Sequence, residues 1–219
     1  MTTLSCRQTV KNILTTLGEC KYISIDEASI SDGLENEYLD TIEQGLNIQL
    51  GNSLRSVYNQ IGSVDIRWHV ALSQYPDLKP LYEEDVYISG SIHFLDPYTM
   101  ILGKDGNYWK DILWFDDINS ETNDRLKNFK PIDFQNSENV IGIVLENNLL
   151  SNSFMLYTSS DGLFDLQLDI DQYFSLIQET LGFIYWPIAL TQSYSEEREK
   201  LIYYLGQLFH GKSLISFGS

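Results

Sequence analysis

Residues 50–70, LGNSLRSVYNQIGSVDIRWHV, decide the fold class, because the spacing of apolar residues changes inside them. Leu54, Val57, Tyr58 and Ile61 recur at helical spacing, behind Asn52 or Ser53 as N-cap and ahead of Gly62 as a stop. Past Gly62 the period drops to two. Val64, Ile66, Trp68 and Val70 alternate with Asp65, Arg67 and His69, the pattern of a half-buried strand.

Upstream of this change the first sixty residues read as helices. Ser5 and Gln8 have capping-box spacing, Val10, Ile13, Leu14 and Leu17 share a face, and Gly18 fits the stop. A second helix is expected over residues 34–44, with Leu34, Tyr38, Leu39 and Ile42 inward and Gly45 ending it.

Downstream, strands take over. Val86, Ile88, Ile92 and Phe94 suggest one, with Gly90 as a bulge or change of face. Residues 109–115 and 140–145 are apolar enough for central strands, and residues 154–158 and 163–168 flank the turn Ser159-Ser160-Asp161-Gly162. Helices then return. Tyr173, Phe174, Leu176, Ile177 and Leu181 follow an Asp169 or Asp171 cap and stop at Gly182. Ser193 with Glu196 opens a last helix carrying Leu201, Ile202, Leu205, Leu208 and Phe209. This order predicts an α+β fold, a predominantly antiparallel sheet flanked by N-terminal and C-terminal helices. No repeat or Pro/Gly-rich linker divides it, so residues 1–219 are expected to form a single domain.

Charge narrows the partners. Fourteen basic against 31 acidic residues leave a net charge of −17. Between Lys130 and Arg198 run 67 residues with ten acids and no Lys, Arg or His, yet rich in Phe, Tyr and Trp. A folded segment of one charge sign attracts basic proteins or cations and repels phosphate backbones and anionic membranes. Nucleic-acid and membrane binding are therefore not expected. There is neither a secretory h-region near Met1 nor a run of about 18 apolar residues. Cys6 and Cys20 read as a pair of thiols in a cytoplasmic protein.

Motifs for chemistry are weak. Gly206-Gln-Leu-Phe-His-Gly211-Lys212-Ser213 matches GxxxxGK[ST] by letter. It follows a helical pattern instead of a strand, and six residues leave no room for a helix behind it, so no nucleotide site is expected. Asp161, Asp165, Asp169 and Asp171 lack the order of a calcium loop, and the alternation of Asp165, Gln167 and Asp169 points to the outer face of a strand. The pairs Glu83-Glu84 and Asp116-Asp117 have the residue type of glycosidase carboxylates, but adjacent acids in a loop are usually just exposed. His69, His93 and His210 have neither a nucleophile elbow nor a metal motif beside them. No catalytic residue, cofactor or metal is assigned. Trp68 and Trp186 belong to the core, and Trp109 and Trp114 fit either core or surface.

Two blocks resemble the SUKH superfamily of fungal cell-wall-assembly regulators and bacterial toxin-immunity proteins. The first is residues 50–62 with the strand ending at Trp68. The second is residues 171–186, DQYFSLIQETLGFIYW, with Lys130-Pro131-Ile132-Asp133-Phe134 between them as a connection into the sheet. Gly51 stands where that family usually has proline, and Ile61 where it has asparagine. The resemblance covers about residues 43–190 and leaves 193–210 as an added helix. It implies an α+β domain whose matched residues Leu54, Tyr58, Gly62, Trp68, Gly182 and Trp186 determine the fold, not an active site.

The expectation is a non-catalytic acidic protein-binding module, foremost an immunity protein that binds and neutralises a toxin domain, such as a nuclease with a basic cleft. The alternative is a regulatory scaffold of the cell-wall-regulator type, and behind it an unrecognised hydrolase or nucleotide-binding enzyme. The expected contacts to a basic partner are Glu83, Glu84, Asp85, Asp116, Asp117, Asp165 and Asp169.

Overall fold

A computed structural model describes residues 5–104, 106, 109, 124–134, 139–191, 195–210 and 214–217. Asp116, Asp117, Trp114, the strand expected past Trp109, the Ser193 cap and the Gly211-Lys212-Ser213 triplet lie outside them.

The fold is α+β, with helices toward both chain ends and an antiparallel sheet between. The described helices are α1 (Cys6–Glu19), α2 (Asn36–Leu46), α3 (Asn52–Tyr58), α4 (Pro97–Leu102), α5 (Asp124–Lys127), α6 (Ile170–Thr180), α7 (Trp186–Ala189) and α8 (Ser195–Leu208). The strands are β1 (Ser24–Asp32), β2 (Ile61–Ala71), β3 (Tyr87–Phe94), β4 (Phe129–Asp133), β5 (Asn139–Glu146), β6 (Leu149–Leu150), β7 (Met155–Thr158) and β8 (Gly162–Asp165). Their order is β1-β2-β3-β4-β5-β7-β8, with β6 on β5. Two compact units are distinguished. The first takes residues 1–29, 65–92 and 174–219, and the second residues 30–64 and 93–173.

In the first unit, Ser5 caps α1 by accepting from the Gln8 amide, and Val10, Ile13 and Leu17 are buried along one side. Trp68 is buried on β2, and its indole N–H donates to the Leu181 carbonyl at 2.8 Å. The backbone of β3 bonds to the turn that follows α6: Ser91 N–H donates to Gly182 and Ile184 N–H to Ser89. Gly182 has φ +70° there, and a Cβ on it would lie 2.5 Å from Ile92 Cγ1, so both conformation and space demand glycine.

In the second unit, Arg55 of α3 reaches back to α2, pairing with Glu43 at 2.5 Å and Asp40 at 2.7 Å, while Glu43 also accepts the Leu50 amide. The Tyr58 hydroxyl, fully buried, donates to the Leu95 carbonyl at 3.0 Å. Asp133 is a buried carboxylate, at 0% exposure. It accepts from the His93 amide and the Tyr173 hydroxyl, each at 2.9 Å. Tyr173 in turn stacks on Phe154, with ring centroids 5.1 Å apart.

Several expectations need correction. Residues 24–32 form a strand and not part of a helical region, because nine residues exposed along nearly their whole length show no helical apolar face. Tyr38 is 50% exposed, and α2 continues through Gly45 until Asn47 closes it in the left-handed conformation. α3 ends at Tyr58, and Ile61 and Gly62 already belong to β2. Gly18 lies inside α1, which ends one residue later. Residues 130–133 are a strand, β4, paired with β5, with a register irregularity between Pro131 and Asp133. The second hairpin strand stops at Asp165, so the alternation through Gln167 and Asp169 is not strand geometry; Gln167 has φ +53°.

Candidate interaction surface

In the first unit, the segment between β2 and β3 has one short 3-10 turn and is otherwise irregular, yet it is tied down at four points by α8. Gln207 grips the Lys79 backbone twice, accepting its N–H and donating to its carbonyl, both at 3.1 Å. Tyr204 accepts the Leu81 amide at 2.8 Å and donates a short hydrogen bond to Asp85. The Tyr82 hydroxyl donates to Glu199 at 3.0 Å. Lys200 reaches Asp85 at 3.5 Å and Glu196 at 3.0 Å, with its ammonium over the rings of Tyr82 and Tyr185.

Protonation follows from this packing. Burial and the bond to Asp85 push the Tyr204 hydroxyl well above its ordinary value. Burial works to lower Lys200, but Glu196, Asp85 and Tyr185 together outweigh it and leave the ammonium more firmly protonated.

The clamp sorts the three acids of this loop. The Asp85 carboxylate is only 12% exposed and is engaged by Tyr204, Lys200 and the Tyr82 amide. Glu83 and Glu84, one step earlier, are exposed at the loop tip. Just past Asp85 come Val86 at 59% and Tyr87 at 67% exposure, large side chains left in water. Tyr87 meets the His69 ring edge-on, centroids 6.4 Å apart, and His69 Nδ1 lies 2.8 Å from Asp26 of β1. Arg67 stands between Asp65 at 3.4 Å and Glu27 at 3.8 Å. The outward side chains of β2 anticipated from alternation thus join an acidic loop tip and two exposed apolar groups. Such a mixture of exposed aromatic, aliphatic and charged groups suits protein contact.

Asp165 and Asp169 belong to the second unit, and both are exposed and locally engaged. Asp165 accepts from the Ser153 hydroxyl and the Gln167 amide. Asp169 and Gln172 exchange side-chain-to-amide bonds of 2.8 Å each, a reciprocal cap on α6. Other acids of the 131–197 stretch are similarly occupied: Asp133 is buried, Glu179 holds Ser216, and Glu196 holds Lys200. Nothing in the local sequence announces this, because the partners are set by tertiary contacts.

A small recess in the second unit, between Leu54, Ile143, Phe154 and Ile170, has about 20 Å³ of room, enough for a water molecule. Asp133 and Tyr173 have the residue types of an acid–base pair but no solvent access. Among the described residues no cluster of three His, Cys, Asp or Glu has metal-binding geometry, and no helix is long and apolar enough to cross a membrane. Gly206 lies inside α8, so the first part of the GxxxxGK[ST] match is helix where a phosphate loop needs a turn. Cys6 is buried, and the Cys20 thiol contacts the Leu208 carbonyl at 3.7 Å. Compared with known proteins, the chain matches no family model, no curated protein and no solved structure.

Proposed function

We propose that this chain is a non-catalytic module that binds a basic protein, and that its working face includes the Glu83–Tyr87 loop. The observation that carries the reading is the α8 clamp. It turns Asp85 inward and leaves Glu83, Glu84 and Val86 in solvent beside Tyr87 at the start of β3, so acidic, aliphatic and aromatic groups lie together on an anchored segment. A net charge of −17 supplies the field that favours a basic partner and raises its association rate.

Within this reading the chain is an immunity protein of SUKH type, and the partner is a toxin domain with a basic cleft. The likeness of residues 50–68 and 171–186 to that superfamily supports it, as does the sign of the charge. Stopped-flow association with the product of a neighbouring toxin gene is the test. The rate should fall at least tenfold between about 50 and 500 mM salt. Co-expression should restore growth. A partner that binds without protecting cells, at a rate indifferent to salt, would point to a scaffold instead.

A further inference from the structure

β1 stands at the end of the sheet, paired on one side by β2, and its nine residues are exposed along almost their whole length. Strands in this position are ordinarily blunted, because an open row of N–H and C=O groups templates another chain. The usual devices are lysine, proline, a bulge or a covering element. The sequence Ser24-Ile-Asp-Glu-Ala-Ser29 contains neither lysine nor proline, and apart from its ladder with β2 no described residue makes a backbone hydrogen bond to it. What marks this edge is Asp26 and Glu27.

An acidic edge discriminates between occupants. A second copy would set Asp26 and Glu27 against acids of the same strand with no Lys or Arg in between, and like charges facing each other across a ladder are destabilising. A chain carrying Lys or Arg at alternate positions meets the opposite situation. It gains backbone hydrogen bonds from the edge and charge complementarity from the side chains, with half-exposed Ile25 available for an apolar contact. His69 and Arg67 of β2 already meet Asp26 and Glu27, but Arg67 is shared with Asp65, so three acids stand against one guanidinium and the edge stays net negative.

We propose that the outer edge of β1, over Ser24–Ser29, accepts an extended basic segment of another protein as an added strand. The proposal rests on the reading of the chain as a binder of basic proteins and specifies how such a partner is engaged.

The test uses the whole chain and a ten-residue peptide alternating lysine and valine, followed by fluorescence anisotropy and backbone hydrogen exchange. The expected result is salt-sensitive binding with new amide protection between Ser24 and Ser29. An analogue N-methylated at every peptide nitrogen should bind at least tenfold more weakly, since it keeps the charge but has no backbone donor to give the edge. The paired reversal Asp26→Lys with Glu27→Lys should weaken binding about tenfold or more. Salt-sensitive binding that protects the Glu83–Tyr87 loop alone, or equal binding of the N-methylated analogue, overturns the strand-addition proposal and leaves the basic-partner reading in place. Absence of salt-sensitive binding to this peptide and to a folded basic protein alike overturns both.

Discussion

Gly90 is bare because Trp68 occupies the place of its side chain: a Cβ built on Gly90 would lie 2.3 Å from the indole Nε1 and Cε2. No backbone peculiarity is needed to explain this glycine. The indole is buried and anchored to Leu181, so it has little freedom to retreat.

Gly90→Ala should therefore destabilise the protein by about 1–3 kcal/mol through overpacking, read as a lower urea midpoint. Gly206→Ala is the contrasting substitution. Gly206 lies within α8 with open space around its Cα, so alanine should add roughly 0.4–1 kcal/mol. A loss of stability there would contradict the helical assignment of the GxxxxGK[ST] segment.

Asp133 and Tyr173 should behave as one unit. Tyr173→Phe leaves a buried carboxylate oxygen short of a donor and should cost about 1–3 kcal/mol. Asp133→Ala should cost more, since it removes an acceptor from both the Tyr173 hydroxyl and the His93 amide. The double variant should fall short of the sum of the two, by a coupling of about 0.5–3 kcal/mol in a double-mutant cycle.

Asp85 and its neighbours in the acidic loop should separate by experiment. Asp85→Ala removes the acceptor for Tyr204 and Lys200, and should raise amide exchange across residues 79–87 while costing about 1–3 kcal/mol. Glu83→Ala and Glu84→Ala should leave the unfolding free energy within about 0.5 kcal/mol of the parent. Their effect should fall on partner association alone.

Alkali should unfold the protein through its tyrosines. Burial raises Tyr58 and Tyr173 well above the ordinary 10.0, and burial with the Asp85 bond raises Tyr204. The unfolded chain releases these protons near pH 10, and the folded chain only at higher pH. The stability they contribute is thus complete below pH 10 and lost as pH rises through and beyond it. Tyr204→Phe should make that decline shallower in denaturant titrations above pH 10. Lys130 acts with the opposite sign, because burial lowers its value below the ordinary 10.5. Its penalty is complete below the lowered value and vanishes as pH rises to 10.5, so Lys130→Met should stabilise the protein at neutral pH.

The elements legible in the sequence are those that bury one regular face. The β2 alternation, the α1 cap and face, and the buried Leu54, Val57 and Tyr58 of α3 all follow from local spacing. β1 was illegible because its apolar residues do not alternate and it buries neither face. Its conformation is set by pairing with β2, which local sequence does not encode. β4 was masked by Pro131, tolerated beside the register irregularity. At the candidate surface, the exposed Glu83 and Glu84 carry the same letters as the enclosed Asp85. What distinguishes them is Tyr204, 119 residues along the chain from Asp85.

That separation has a bearing on synthesis. Glu83 and Glu84 leave the ribosome more than a hundred residues before α8 does, a delay of roughly 5–25 s at ~5–20 residues per second. Until Gln207, Tyr204 and Lys200 emerge, the loop has none of the anchors that α8 provides. The acidic tip thus takes its working shape only once α8 has been made, and a chain cut short before α8 would carry the right residues without the means to present them.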